Sequence, residues 1–406
     1  MATTTAKTHF SDFLKEWYRG AVVADLVFKS HPWLGIVPKT EARGNFVVRP
    51  VKYANVTGQS SLYSKAHANI GPAERERWTS YHIDNYVKCR IENKIIELSV
   101  GDDAAFRQSL TDEVDSAHSA FANDMHFELL AVHAKGARAQ AGDQTGYTLP
   151  EIKLGAGEAR FFEVNMVVQR SDSTQAALDH SGEEQIVVAV DRANDTITLD
   201  ADFTSATVNT DYLYRSGDFA AKADSLGAWL PGSGVSAAAF NGIDRSVDPT
   251  RLAGVDGVKG SGSYPYLSHL VQTGAELYTQ GQAPNICLLN PVDFAGLALE
   301  TESRGARYNK IGATSGTLSF TALEVATGGG IVPIVSDPGV VADHSYMGDR
   351  DAVELYSAGG APRMFDKDGN FYQRTDDADS ISFYLFAYYN QIVPAPVAWA
   401  YTADIV

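Results

Sequence analysis

GDDAAFRQSLTDEVDSAHSAFANDMHFELLAVHAK, residues 101–135, is the stretch from which the rest of the chain is read. Phe106, Leu110, Val114, Ala117, Phe121, Met125, Leu129 and Val132 recur at steps of three and four, the spacing of one α-helical face. Asp102 and Asp103 supply capping oxygens at the start, where carboxylates also oppose the positive helix end. Lys135 and Arg138 place cations near the other end, with Gly136 as the stop. At 1.5 Å per residue the helix is roughly 50 Å long, several times the average. A single apolar stripe on so long a helix describes a beam with one seam, not an element buried on all sides.

Outward from the beam, the chain is too long for one core, since its 406 residues call for two or more domains. A hydrophobic fraction of 44% and an aromatic fraction of 10% argue for a folded chain and against global disorder. No run approaches the ~18 apolar residues of a membrane span, and MATTTAKTHFSDF lacks the layout of a secretory signal. Cys89 and Cys287 are too few for a disulfide framework and suit a reducing cytosol. Neither has a second cysteine nearby, which excludes a zinc ribbon, and Cys287 reads as a small buried hydrophobe in the apolar run Ile286–Leu289. The net charge of −17 is unevenly spread: residues 1–97 carry 14 Lys and Arg against 9 Asp and Glu, so the rest carries −22. A basic front and an acidic body suggest complementary surfaces between copies of the same protein, with two solvated faces as the plainer reading. Tight general nucleic-acid binding is disfavoured, because it needs a concentrated basic surface.

On the N-terminal side, residues 8–28 form an amphipathic helix candidate, ended by His31-Pro32, and Trp33–Val37 continues as an apolar extended segment. Strand patterns run over 44–51 and, with period two, over Trp78–Leu98. The polar stretch Asn55–Arg77 between them makes an extended β-hairpin, an arm that needs another surface to lie on. On the C-terminal side, residues 139–160 read as a linker and 161–218 as a small all-β module, with a hairpin turn at Asp191–Asp195. Residues 171–218 hold ten acids against two bases. Residues 219–335 have α/β texture: a helix over Tyr264–Gly281, the strand Ile286–Leu289, Asn290 capping a helix that opens at Pro291, and the apolar GGGIVPIVSDP. Residues 345–406 are rich in strands.

Catalytic signatures are lacking: no G-x-S-x-G, Walker loop, H-E-x-x-H or dinucleotide fingerprint occurs. Gly328–Gly330 precedes a strand, the wrong order for cradling a phosphate. His126 and His133 share a helix face, but no acidic residue stands at a ligand spacing from them. Asp366-Lys-Asp-Gly-Asn370 has its glycine at the fourth place and not the sixth of a calcium loop, and reads as a hairpin turn. Asp376, Asp377 and Asp379 read as a solvated acidic tip. No catalytic, cofactor-binding or metal-binding residue is assigned.

The order of parts resembles the major capsid protein of tailed double-stranded-DNA bacteriophages, a fold shared with encapsulins. FLKEWYRGAVVADLVFKSHPWLGIVPK is similar to the opening arm, and GNFVVRPVKY with ERERW…IIELSVGDD to the two sides of the extended loop feeding the spine. DRSVDPTRLAG, the 264–281 helix, ICLLNPVDFAGL and GGIVPIVSDPGV resemble the axial domain, and GDRDAVELYS with the last strands the returning peripheral sheet. The resemblance implies an α+β fold: N-terminal arm 1–40, extended loop 41–100, spine helix 101–140, inserted β-rich module 141–220, axial α/β domain 221–338 and returning strands 339–406. The module is a departure from the simplest members. It also implies a structural virion protein without enzyme activity or cofactor. Pentamers and hexamers of the chain would enclose double-stranded DNA, with scaffolding, portal and decoration proteins as partners and no membrane. An encapsulin-like compartment and another virion component, such as a tail or decoration protein, are the alternatives. The stripe on the long helix is expected to be its seam against the C-terminal strands.

Overall fold

In the computed structural model, the described residues are 30–92, 103–231, 235, 237–257, 265–303, 323–366, 373–374 and 379–403, with the backbone alone for 92, 103–112, 302–303 and 374. The 8–28 helix, most of the 366–370 turn and residues 376–377 lie outside them. Among the described residues, three six-stranded sheets and one two-stranded ribbon are arranged around the spine helix, Asp103–Leu130. Its stripe is the expected seam: Ala117, Phe121, Met125 and Leu129 are buried in one cluster with Phe383, Leu385, Ala387 and Tyr389 of the strand Ser380–Ile392. The helix stops short of Lys135. Gly227 N donates to Ala131 O at 3.1 Å, and Lys135 (φ 58°) and Gly136 (φ 79°) turn left-handed. Gly227 is required there, because a Cβ would lie 2.3 Å from Val132 O.

The sheet under the spine runs Lys39–Glu41, Glu354–Ser357, Ser380–Ile392, with Ile83–Glu92 along the other side of the long strand. Trp78–Leu98 is therefore not one strand of a hairpin. Arg75–Tyr81 pairs with Phe46–Lys52 in the ribbon, and after His82 the chain changes partner to Ser380–Ile392. The period-two pattern runs through the change because both halves are one-face-buried strands, and pleat reports a face but not a partner. At the root of the ribbon, Trp78 is fully buried, edge-on to Trp229 at 5.1 Å, and its Nε1 donates to Pro394 O at 3.2 Å. Trp33–Val37 is likewise not extended: Pro32–Ile36 is a short helix with proline in its first turn. Trp33 is held there by its N–H to Asp337 (2.9 Å) and its ring against Trp399.

Residues 139–160 are not a linker. Ala139–Gln140 and Glu151–Lys153 are the two outer strands of a six-stranded sheet whose inner strands are Tyr212–Arg215, Val167–Ser171, Gln185–Asp191 and Thr196–Leu199. These outer strands meet. Ala141 bridges Leu154, Gly142 N donates to Lys153 O (3.0 Å) and Gly155 N to Gln140 O (2.9 Å), so the sheet closes into a small barrel. Closure leaves no open edge to template pairing with other chains. Ile152, Leu154, Phe162, Val168, Ile197 and Leu213 fill the interior. Gly, Ala and Gln suit these short strands, and that composition alone reads as a linker.

The third sheet is ordered Val255–Asp256, Trp399–Thr402, Ser345–Gly348, Ile286–Leu289, Gly330–Ser336, Leu323–Thr327. The helices Tyr266–Thr279 and Pro291–Ser303 accompany it, and Asn290 Oδ1 accepts from Val292 N at 2.9 Å as the cap. Two of the C-terminal strands, Ser345–Gly348 and Trp399–Thr402, pair here and not in the sheet under the spine, contrary to the reading of 339–406 as strands returning to that sheet.

Candidate assembly surfaces and the charged junction

His126 on the spine helix and His133 just beyond its end acquire carboxylate partners that spacing along the sequence could not reveal. His126 Nε2 lies 2.8 Å from Asp337 Oδ1, and His133 Nε2 lies 2.6 Å from Glu158 Oε1. Asp337 also accepts from Trp33 N and Gly339 N, so this carboxylate ties the start of the described chain to the spine and to the loop before Val340. Each histidine thus has a structural partner, and among the described residues no group of three or more His, Cys, Asp or Glu is placed to hold a metal. Burial pushes the Cys89 thiol up to about 11 and raises that of the fully buried Cys287 further, which makes both poor nucleophiles.

Charge is concentrated where the barrel joins the spine. Asp124 receives Arg138 Nη2, Arg215 Nη2 (2.6 Å), Lys222 Nζ (2.7 Å) and Asn85 Nδ2 (3.1 Å). Burial alone would raise its pKa; Arg138, Lys222 and Arg215 outweigh burial and hold the carboxyl well below its ordinary range. One helical turn on, Glu128 accepts from Ala223 N and from Tyr389 Oη (2.7 Å), and burial and the charge of Asp124 raise its pKa. The cations come from the first barrel strand side (Arg138), the last barrel strand (Arg215) and the segment leading away (Lys222). Both crossings of the barrel are therefore clamped to one helix face. A cavity of about 420 Å³, including its open mouth, lies at this junction. Its charged lining, Asp124, Glu128, Arg138, Asp218 and Lys222, is largely spent on mutual pairing, with Arg138 Nε buried and without a hydrogen-bond partner. Sequence reading missed this junction, because its six charges come from three separate stretches, 124–128, 138 and 215–222.

The arm is the opposite case. Beyond its buried root the ribbon ends in a tip that carries a short helix, Tyr63–Ala68, with no buried residue. Leu62 is 61% exposed, Tyr63 86% and Ile70 71%. Large apolar groups presented together in this way mark a contact surface. No helix among the described residues is long and apolar enough to cross a membrane.

No protein-family model matches the chain, and no curated protein matches it in sequence. Solved structures do match. One is a chain of the capsid asymmetric unit of cyanophage A-1(L), at TM-score 0.54 and 12% identity over 95% of this chain and 95% of that one. Another is the holo-SrpI encapsulin complex from Synechococcus elongatus PCC 7942, at TM-score 0.50 and 8% identity over 98% of this chain and 95% of that one. The chain shares the fold of tailed-phage major capsid proteins and encapsulins, and the resemblance of its ordered parts to that fold holds along nearly its whole length.

Proposed function

We propose that the chain is a structural virion protein whose copies associate into pentamers and hexamers and close into an icosahedral head around double-stranded DNA. The observation that carries this reading is the arm, whose tip exposes Leu62, Tyr63 and Ile70 and gains burial only from another molecule. The shared fold agrees with it, as does a junction whose charges are consumed structurally. No enzyme activity or cofactor belongs to this role, and an acidic body keeps a shell wall from gripping packaged DNA. Within it, residues 141–220 form an inserted module between the spine and the axial domain, and scaffolding, portal and decoration proteins are separate partners.

The likeness to an encapsulin favours one second reading, a protein compartment enclosing an enzyme. The two separate on contents: packaged nucleic acid supports the head, a co-purifying cargo enzyme the compartment. Expression of the chain alone, followed by negative-stain imaging, tests the shared claim. Closed shells or ring-shaped capsomers are expected, and a compact monomer at all concentrations overturns it.

A further inference from the structure

The arm's own-chain anchors run from Trp78 and Thr79 N to Asn241 O out to Arg251 on Tyr53 O at the far end of the ribbon, and the tip, residues 55–73, lies beyond them. Its charge narrows what can cover it. Residues 42–77 carry six bases, Arg43, Arg49, Lys52, Lys65, Arg75 and Arg77, against two acids, Glu74 and Glu76, at the far end of the ribbon. Arg43 and Arg49 are engaged by Glu41 and Glu354 at the root, while Lys52 and Lys65 are exposed. The barrel is the complementary surface, with its ten acids against two bases over 171–218. On one barrel face Val188 is 51% exposed, beside the register shift between Val187 and Ala189. Asp200 N bonds to Ile186 O and Gln185 Nε2 to Asp202 O, which brings Asp200 and Asp202 alongside the strand of Val188, with Glu184 at that strand's start. Glu184, Asp200 and Asp202 are all exposed.

We propose that the arm tip of one copy docks on this barrel face of a second copy, Leu62, Tyr63 and Ile70 covering Val188, and Lys52 and Lys65 facing Glu184, Asp200 and Asp202. This rests on the shell-forming reading and names the surface that reading leaves open. Tip against tip or barrel against barrel brings like charges together, whereas tip against barrel pairs a net basic surface with an acid-rich one.

The test mixes two otherwise intact chains, Leu62→Cys and Val188→Cys, under assembly conditions with a mild oxidant. Both positions are exposed, so neither change threatens folding, and the two native thiols are buried or half-buried and set the background in the parent chain. A disulfide-linked dimer is expected in the mixture and not from either variant alone. Adding Glu184→Lys, Asp200→Lys and Asp202→Lys to the second chain reduces its yield at least tenfold, and Lys52→Glu with Lys65→Glu on the first restores it. Shells that form without the mixed adduct, or an adduct indifferent to charge reversal, overturn the docking while the shell-forming reading stands. A parent chain that stays monomeric overturns both.

Discussion

Asp124 is one carboxylate serving three cations in a buried site, so its removal strands charge and not merely a contact. Asp124→Asn is expected to lower unfolding free energy by about 3–5 kcal/mol, the usual cost of orphaning buried charge, read from urea titrations. A loss under ~1 kcal/mol would mean that water already reaches the site. Asp293 makes a prediction in pH. It is 1% exposed near the start of Pro291–Ser303, and burial pushes its pKa up to about 6 against the hydrogen bond from Asp343 N. Its unfolded value is about 3.9, so the folded state holds an extra proton between roughly pH 4 and 6 and stability from this group falls as pH rises through that window. Asp293→Asn is expected to flatten the slope, by up to about 3 kcal/mol for a shift of two units. Equal slopes for parent and variant, in denaturant midpoints at pH 4.5 and 7.5, would discard the assignment. Neither residue announced itself in the sequence. Asp124 and Glu128 read as the polar side of a striped helix, and only folding brings Arg138, Arg215 and Lys222 to them.

At the scale of elements, the root and the tip of the arm separate stability from assembly. Trp78→Ala empties a fully buried site and is expected to cost about 3–5 kcal/mol. Replacing residues 55–73 by a short turn removes no buried large apolar side chain and is expected to leave the melting temperature within a few degrees while abolishing shells. Calorimetry and imaging of the two variants check this, and a tip-less chain that still builds normal shells would contradict it. Periodicity identified the spine and its seam correctly because a stripe facing one sheet keeps a single period throughout. It gave the β-segments less exactly. A strand's pattern records which face is buried, so the change of partner at His82 and the closure at Ala141–Leu154 left no trace in it. The end of the spine was missed for a related reason: Gly227, far along the chain, presses on carbonyls that the local sequence would have kept helical.

For the whole molecule, the uneven charge turns assembly into an ionic-strength measurement. With +5 on residues 1–97 and −22 on the remainder, association is expected to weaken as salt rises from about 0.05 to 0.5 M, where the Debye length shortens from near 14 Å to near 4 Å. Light scattering at fixed protein concentration checks it, and salt-independent assembly would remove charge from the account. Composition and the order of parts made the architecture legible. They did not show how the sheets share strands, since Ser345–Gly348 and Trp399–Thr402 are interchangeable in texture with strands of the neighbouring sheet.

The closed barrel has a further consequence. Arg138 N bonds to Leu213 O and Ala220 N to Lys135 O, so the inbound and outbound strands leave the body side by side. Such a unit is a cassette on a two-pin socket. Its removal or exchange in one step would leave the sequence of the spine unaltered. A foreign domain whose termini lie close together fits the same socket, provided that the cations gripping Asp124 travel with the graft.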